Sequence, residues 1–219
     1  MRIHNFVIDS NVIKNILYMS IPILLFIIGI VLYGVVINLR EVSLKEAVLE
    51  KKLGELNNIS FIVDRAKYRL ELYSGPIFVK SYKAVFGRNT KTVKSSSDDN
   101  VTPLGEYFIC EIDTNYEYYK FFKLSYPNKR DASEAYKNGY ITKSELELII
   151  DAVNKKECSP AETSLSANIG IHGMGKYNFI FKNLPFIFNW TNGSIAVSDE
   201  SIDELYPLVK IGTKVTIMK

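Results

Sequence analysis

The hydrophobic pattern divides the chain in two. From Asn15 to Leu39 no residue carries a charge, and Ile21 to Val36 is dense in Ile, Leu, Val and Phe. At ~1.5 Å per residue this run exceeds a hydrocarbon layer of ~30 Å. Pro22, Gly29 and Gly34 are tolerated in such helices. A buried core helix would show a polar face, and none is present. A cleaved signal peptide would be shorter and followed by a small-x-small site, which is missing after Leu39. The pattern predicts a retained membrane anchor over 15–39, preceded by a short tail, 1–14.

From Arg40 to Leu56 the apolar residues Val42, Leu49, Leu53 and Leu56 recur at spacings of seven, four and three, predicting an amphipathic linker helix or stalk over 40–57. Two heptads are too few for a coiled coil, so this helix is expected to be solvated. Beyond Ser60 the period shortens to that of strands. Strands are expected over 60–64, 68–73, 77–86, 107–112, 119–125, 168–172, 194–197 and 214–218. Three helices interrupt them. One covers 131–138. One starts at Thr142, with Glu145 completing a capping box and Leu146, Ile149, Ile150 and Val153 as its stripe. One covers 199–209, with Ser198 as N-cap and Pro207 near its end. The expected fold is mostly β, a mixed sheet or sandwich with a few short helices, over 58–219.

Composition narrows the function. Hydrophobic residues are 47% and charged residues 23%, as in a globular chain. A net charge of +3, with no cluster of lysine or arginine among aromatics, excludes a nucleic-acid partner. Two histidines and two cysteines, without CxxC or HExxH spacing, leave no basis for a metal site or any other cofactor. Cys110 and Cys158 can pair in an oxidising compartment or remain buried thiols; both readings stay open.

Two segments carry candidate chemistry. In Ile169-Gly170-Ile171-His172-Gly173 an imidazole ends an apolar run. In Asn189-Trp190-Thr191-Asn192-Gly193-Ser194-Ile195-Ala196-Val197 a Gly-Ser turn opens the next run. A nucleophile on a tight turn beside an imidazole base suits acyl transfer, with the Gly193 and Ser194 amides as candidate oxyanion donors.

These residues resemble the active-site motif of the L,D-transpeptidases, enzymes that cross-link peptidoglycan stem peptides. One branch of that family reads Trp-Thr-x-Gly-Cys-Ile-Ala-Val where this chain has Trp190 to Val197. Thr102-Pro103-Leu104-Gly105-Glu106-Tyr107 resembles the TPxGxY element of the family, and Leu124-Ser125-Tyr126-Pro127-Asn128 with Asp131 a segment of one branch. The resemblance implies His172 as base, the Ser194 position as nucleophile and Gly193 as an oxyanion element. Gly173, Trp190, Thr191, Asn192 and Tyr126 would then contact substrate. It also implies a single-pass protein of the cytoplasmic membrane whose domain lies outside the cytoplasm, although Arg40, Lys45, Lys51 and Lys52 after the span vote weakly the other way.

Ser194 departs from the family, whose nucleophile is cysteine. Beside an imidazole a thiol becomes thiolate; a hydroxyl is far less acidic, and a site shaped around sulfur places oxygen too far away. Severe loss of transpeptidation is expected. An introduced substitution, a natural inactive homologue and a serine-using variant all remain open, the last ranked lowest. The rival function is a membrane-anchored module that binds peptidoglycan peptides without turnover. The sequence leaves the oligomeric state and the acceptor undetermined.

Overall fold

The computed structural model describes residues 9–38, 41–91, 93–184 and 186–219. The tail through residue 8, with His4, and the junction residues 39 and 40 lie outside the described residues. The chain forms two compact units: Met1–Glu41 with Asn183–Phe186, and Val42–Lys182 with Ile187–Lys219.

The first unit contains helix α1, Ser10–Asn38, most of whose apolar side chains are exposed. Its length and composition fit a membrane span, and a signal sequence meets the same description.

The second unit is built on one curled mixed sheet of eight strands: β1 (Ile59–Asp64), β2 (Arg69–Ser74), β3 (Ile77–Lys83), β4 (Gly105–Tyr116), β5 (Tyr119–Leu124), β6 (Gly170–His172), β7 (Ile195–Ala196) and β8 (Lys214–Met218). Their spatial order is β3-β2-β1-β8-β4-β5-β6-β7. β1 pairs with β8 and β6 with β7 in parallel, and the remaining neighbours are antiparallel. The core lies on the sheet, with Phe61, Leu72, Ile109, Phe122, Ile171 and Ile195 fully buried. Each of the eight expected strands is present, because alternation of apolar and polar residues fixes which face each buries.

Helices α3 (Lys129–Lys137), α4 (Lys143–Lys155) and α6 (Asp199–Leu205) match the expected three. The capping box at Thr142 and Glu145 forms, and Ser198 caps α6, whose last turn tightens into a 3-10 helix at Tyr206–Leu208 around Pro207. A 3-10 turn, Gly175–Tyr177, and the short helix α5, Asn178–Lys182, were not anticipated. At five residues α5 is too short to show a helical period.

The linker is where the expectation fails. The helix there, α2, spans only Leu44–Glu50, with Ser43 and Glu46 as its capping box. Leu44, Val48, Leu53 and Leu56 pack against the core, and the Leu44 N–H donates to Glu204 Oε1 at 2.9 Å. Val42 and Leu49, taken as part of its stripe, face solvent. The buried stripe is Leu44, Ala47 and Val48, so this helix belongs to the domain and is not a solvated stalk. Cys110 on β4 and Cys158, in the loop after α4, form a disulfide closing 48 positions of chain. That resolves the open question of the two thiols.

Candidate active site

β6 is only three residues long, yet it is buried along its whole length between β5 and β7. Its register with β7 sets Ile171 beside Ile195 and His172 beside Ala196. Continued by one position, that parallel register puts Ser194 beside Gly170. Side chains alternate along a strand, so His172 and Ser194 share one face, two positions apart. Both line a cleft of about 370 Å³ together with Tyr116, Tyr118, Trp190 and Asn192.

Four rings enclose the imidazole. Its centroid lies 5.5 Å from Tyr118, 5.8 Å from Trp190, 5.9 Å from Tyr116 and 6.3 Å from Phe121. Only 3% of His172 is exposed. Burial away from any counter-charge lowers its pKa to about 4, against a smaller opposing effect of the Gly173 carbonyl. At neutral pH the ring is uncharged. Nδ1 sits 2.6 Å from the Gly173 carbonyl oxygen. A carbonyl only accepts, so Nδ1 carries the hydrogen and Nε2 keeps its lone pair. This is the tautomer a general base needs.

The turn before β7 is fixed from three sides. Thr191 Oγ1 donates to the Ser194 carbonyl at 2.6 Å and accepts from the Gly193 N–H at 3.3 Å. Val85 and Ala196 exchange two backbone hydrogen bonds of 2.9 Å, and the Arg88 N–H donates to the Thr191 carbonyl at 3.1 Å. Gly193 has φ +118°, and a Cβ there would stand 2.8 Å from the Val101 carbonyl oxygen and 2.9 Å from Ile169 Cδ1. Backbone geometry and space both require glycine.

Ser194 is 7% exposed. Its hydroxyl donates to the Asn168 carbonyl at 3.2 Å and accepts from the Gly170 N–H at 3.2 Å. It makes no hydrogen bond to His172. The Gly193 N–H is already taken by Thr191, whereas that of Ser194 has no protein acceptor among the described residues. The Ser194 amide is therefore the better oxyanion candidate of the two.

The remaining expected site residues separate. Trp190, Thr191 and Asn192 line the cleft. The Trp190 ring stacks on Phe181 at 5.2 Å, and its buried indole N–H has no partner among the described residues. Gly173 lies behind the cleft, where Asp199 Oδ1 accepts from the next two amides, Met174 at 2.6 Å and Gly175 at 3.0 Å. Its contribution is the carbonyl that orients His172. Tyr126 is outside the cleft: it is buried against Tyr107, ring centroids 6.0 Å apart, in the core. The family resemblance suggested a substrate contact, but Tyr126 follows the end of β5 in a fully buried stretch, Leu124 to Pro127, and its ring packs into the core.

Sequence reasoning missed the opposite wall. Tyr116 and Tyr118 come from the β4–β5 hairpin tip, and Ser97 and Asp98 from the polar loop after β3. Nothing in the local pattern of 87–100 distinguishes a cleft wall from a solvated loop.

A buried neutral imidazole, a short polar side chain on a glycine turn and an amide with no protein acceptor among the described residues are the kinds of group that acyl-transfer chemistry uses. The family model for the YkuD L,D-transpeptidase catalytic domain matches residues 59–217, and the chain belongs to that family. No curated protein matches it by sequence. Among solved structures, an L,D-transpeptidase (residues 123–326) from Xylanimonas cellulosilytica is 13% identical, TM-score 0.44, over 81% of this chain and 70% of that one. Bd1075 of Bdellovibrio bacteriovorus is 19% identical, TM-score 0.45, over 74% and 48%. The helical cell shape determining protein Pgp2 of Campylobacter jejuni is 14% identical, TM-score 0.47, over 81% and 55%. The chain thus spans about half the length of the latter two.

Proposed function

We propose that this chain is a membrane-anchored L,D-transpeptidase homologue whose cleft takes peptidoglycan stem peptides, with Ser194 at the nucleophile position of the family. The carrying observation is that His172 and Ser194 line one cleft from neighbouring parallel strands. A competent site would run two acyl transfers. As the nucleophile bonds to the donor carbonyl, its hydrogen passes to His172 Nε2 and the Ser194 N–H stabilises the oxyanion. The proton then goes to the leaving nitrogen, the C–N bond breaks, and a terminal D-amino acid departs. An acceptor amine next attacks the acyl carbonyl, gives its proton to His172 and frees the nucleophile. No metal or organic cofactor enters these steps.

One observation favours a second reading, a peptide-binding module without turnover. The Ser194 hydroxyl spends its proton on Asn168, and the base is weakened by burial. Attack by that oxygen requires breaking this bond and deprotonating a hydroxyl with a feeble base. We therefore place turnover in this chain at a small fraction of that of a cysteine form.

The Ser194→Cys variant separates the readings. Intact-mass detection of a carbapenem adduct, with release of D-Ala from stem tetrapeptides, supports a competent scaffold blocked by serine. Absence of both in the variant refutes the acyl-transfer reading and leaves the binding module. We assign 15–39 to the membrane and the domain to the outer side. The Cys110–Cys158 bond supports this assignment, since disulfides persist in oxidising compartments.

A further inference from the structure

The loop that forms the far wall is a built element. Asp99 accepts from the N–H groups of Ser95 at 2.6 Å, Ser96 at 3.3 Å and Val101 at 3.0 Å, and from Lys94 Nζ at 2.6 Å. The Lys94 side chain is 2% exposed. Arg65 holds the start of the loop through the carbonyls of Thr90 at 3.2 Å and Lys91 at 2.9 Å, and its end through that of Thr102 at 2.8 Å. This clamp presents Asp98 to the cleft from a fixed backbone.

Asp98 is the one charged side chain among the residues that line the cleft. Lys94 and Asp99 neutralise each other. Arg88 is not among the lining residues and donates to Asn192 Oδ1 at 2.7 Å and Asn100 Oδ1 at 3.3 Å. The sole intramolecular donor to the Asp98 carboxylate among the described residues is the Ser97 hydroxyl at 3.1 Å. The cleft therefore offers a peptide one negative charge that no ion pair neutralises among the described residues.

We infer that Asp98 makes this cleft selective for peptides carrying a free primary ammonium group over the same peptides with that amine acylated. The inference rests on the cleft being the peptide site. Acylation removes the charge but keeps the chain, so the preference reports the carboxylate alone. An exposed charge pair of this kind supports a ratio of about threefold to fivefold at low salt, falling as salt screens it.

The test is calorimetric binding, in detergent, of the full chain to a stem tetrapeptide with lysine at its third position and to its Nε-acetyl form. A ratio of about threefold or more that collapses to one in Asp98→Asn, inverts in Asp98→Lys and persists in Ser97→Ala supports the inference. A merely structural role for the loop would weaken both peptides together. Equal affinity of the wild-type chain for the two peptides, or an unchanged ratio in Asp98→Asn, overturns the inference while leaving the cleft as a peptide site. Failure of both peptides to bind, in the wild-type chain and in Ser194→Cys alike, overturns the cleft reading and the inference with it.

Discussion

Replacing His172 by glutamine tests the account of its environment. The imidazole is held neutral by burial, with its pKa brought from 6.5 down to about 4. An unfolded chain takes up the proton more readily than the folded one. The stabilisation is therefore complete above pH 6.5 and is lost as pH falls toward 4. At ~1.4 kcal/mol per pH unit, the loss from this group is about 2 kcal/mol at pH 5 and about 3 kcal/mol below pH 4. His172→Gln removes that titration, and the carboxylates, common to both proteins, cancel in the difference. Urea unfolding at pH 7.5 and pH 5 should show the wild-type chain losing about 2 kcal/mol more than the variant over that interval. Nitrogen-15 NMR of the ring should show Nδ1 protonated and Nε2 bare down to pH 5. An equal loss in both proteins, or a His172 midpoint at 6.5 or above, would refute the buried neutral base.

Two further outcomes follow from the frame around the site. Cys110→Ser should cost about 4 kcal/mol by loop-closure entropy for 48 positions, read as a lower urea midpoint that reduction of the wild-type chain reproduces. Gly193→Ala should cost about 1–3 kcal/mol through its left-handed backbone and the clash with Val101. It should also abolish peptide binding by calorimetry, because the Ser194 turn shifts.

How much of this was legible beforehand depends on the range of the cause. Strand alternation, the Thr142–Glu145 and Ser198 caps and the uncharged run before Leu39 are local, so spacing alone revealed them. The two halves of the site were legible too, since a histidine ending a strand and a glycine turn opening another carry their chemistry in a few adjacent residues. The linker misled, because Val42 and Leu49 have the right spacing for a stripe, while the core chose Leu44, Ala47 and Val48 by offering them a surface.

The sequence by itself determined which segments bury which face, where helices begin, and that a nucleophile-type turn and an imidazole exist. Tertiary structure decided the rest. Parallel pairing of β6 with β7 brought His172 and Ser194 to one face, and pairing register is a property of two strands rather than one. Ring packing from a distant hairpin set the charge of the imidazole. The Lys94–Asp99 clamp turned a polar loop into a wall, and proximity of Cys110 to Cys158 chose the disulfide. Each of these joins residues far apart in the chain, whose contacts exist only once the backbone between them has closed.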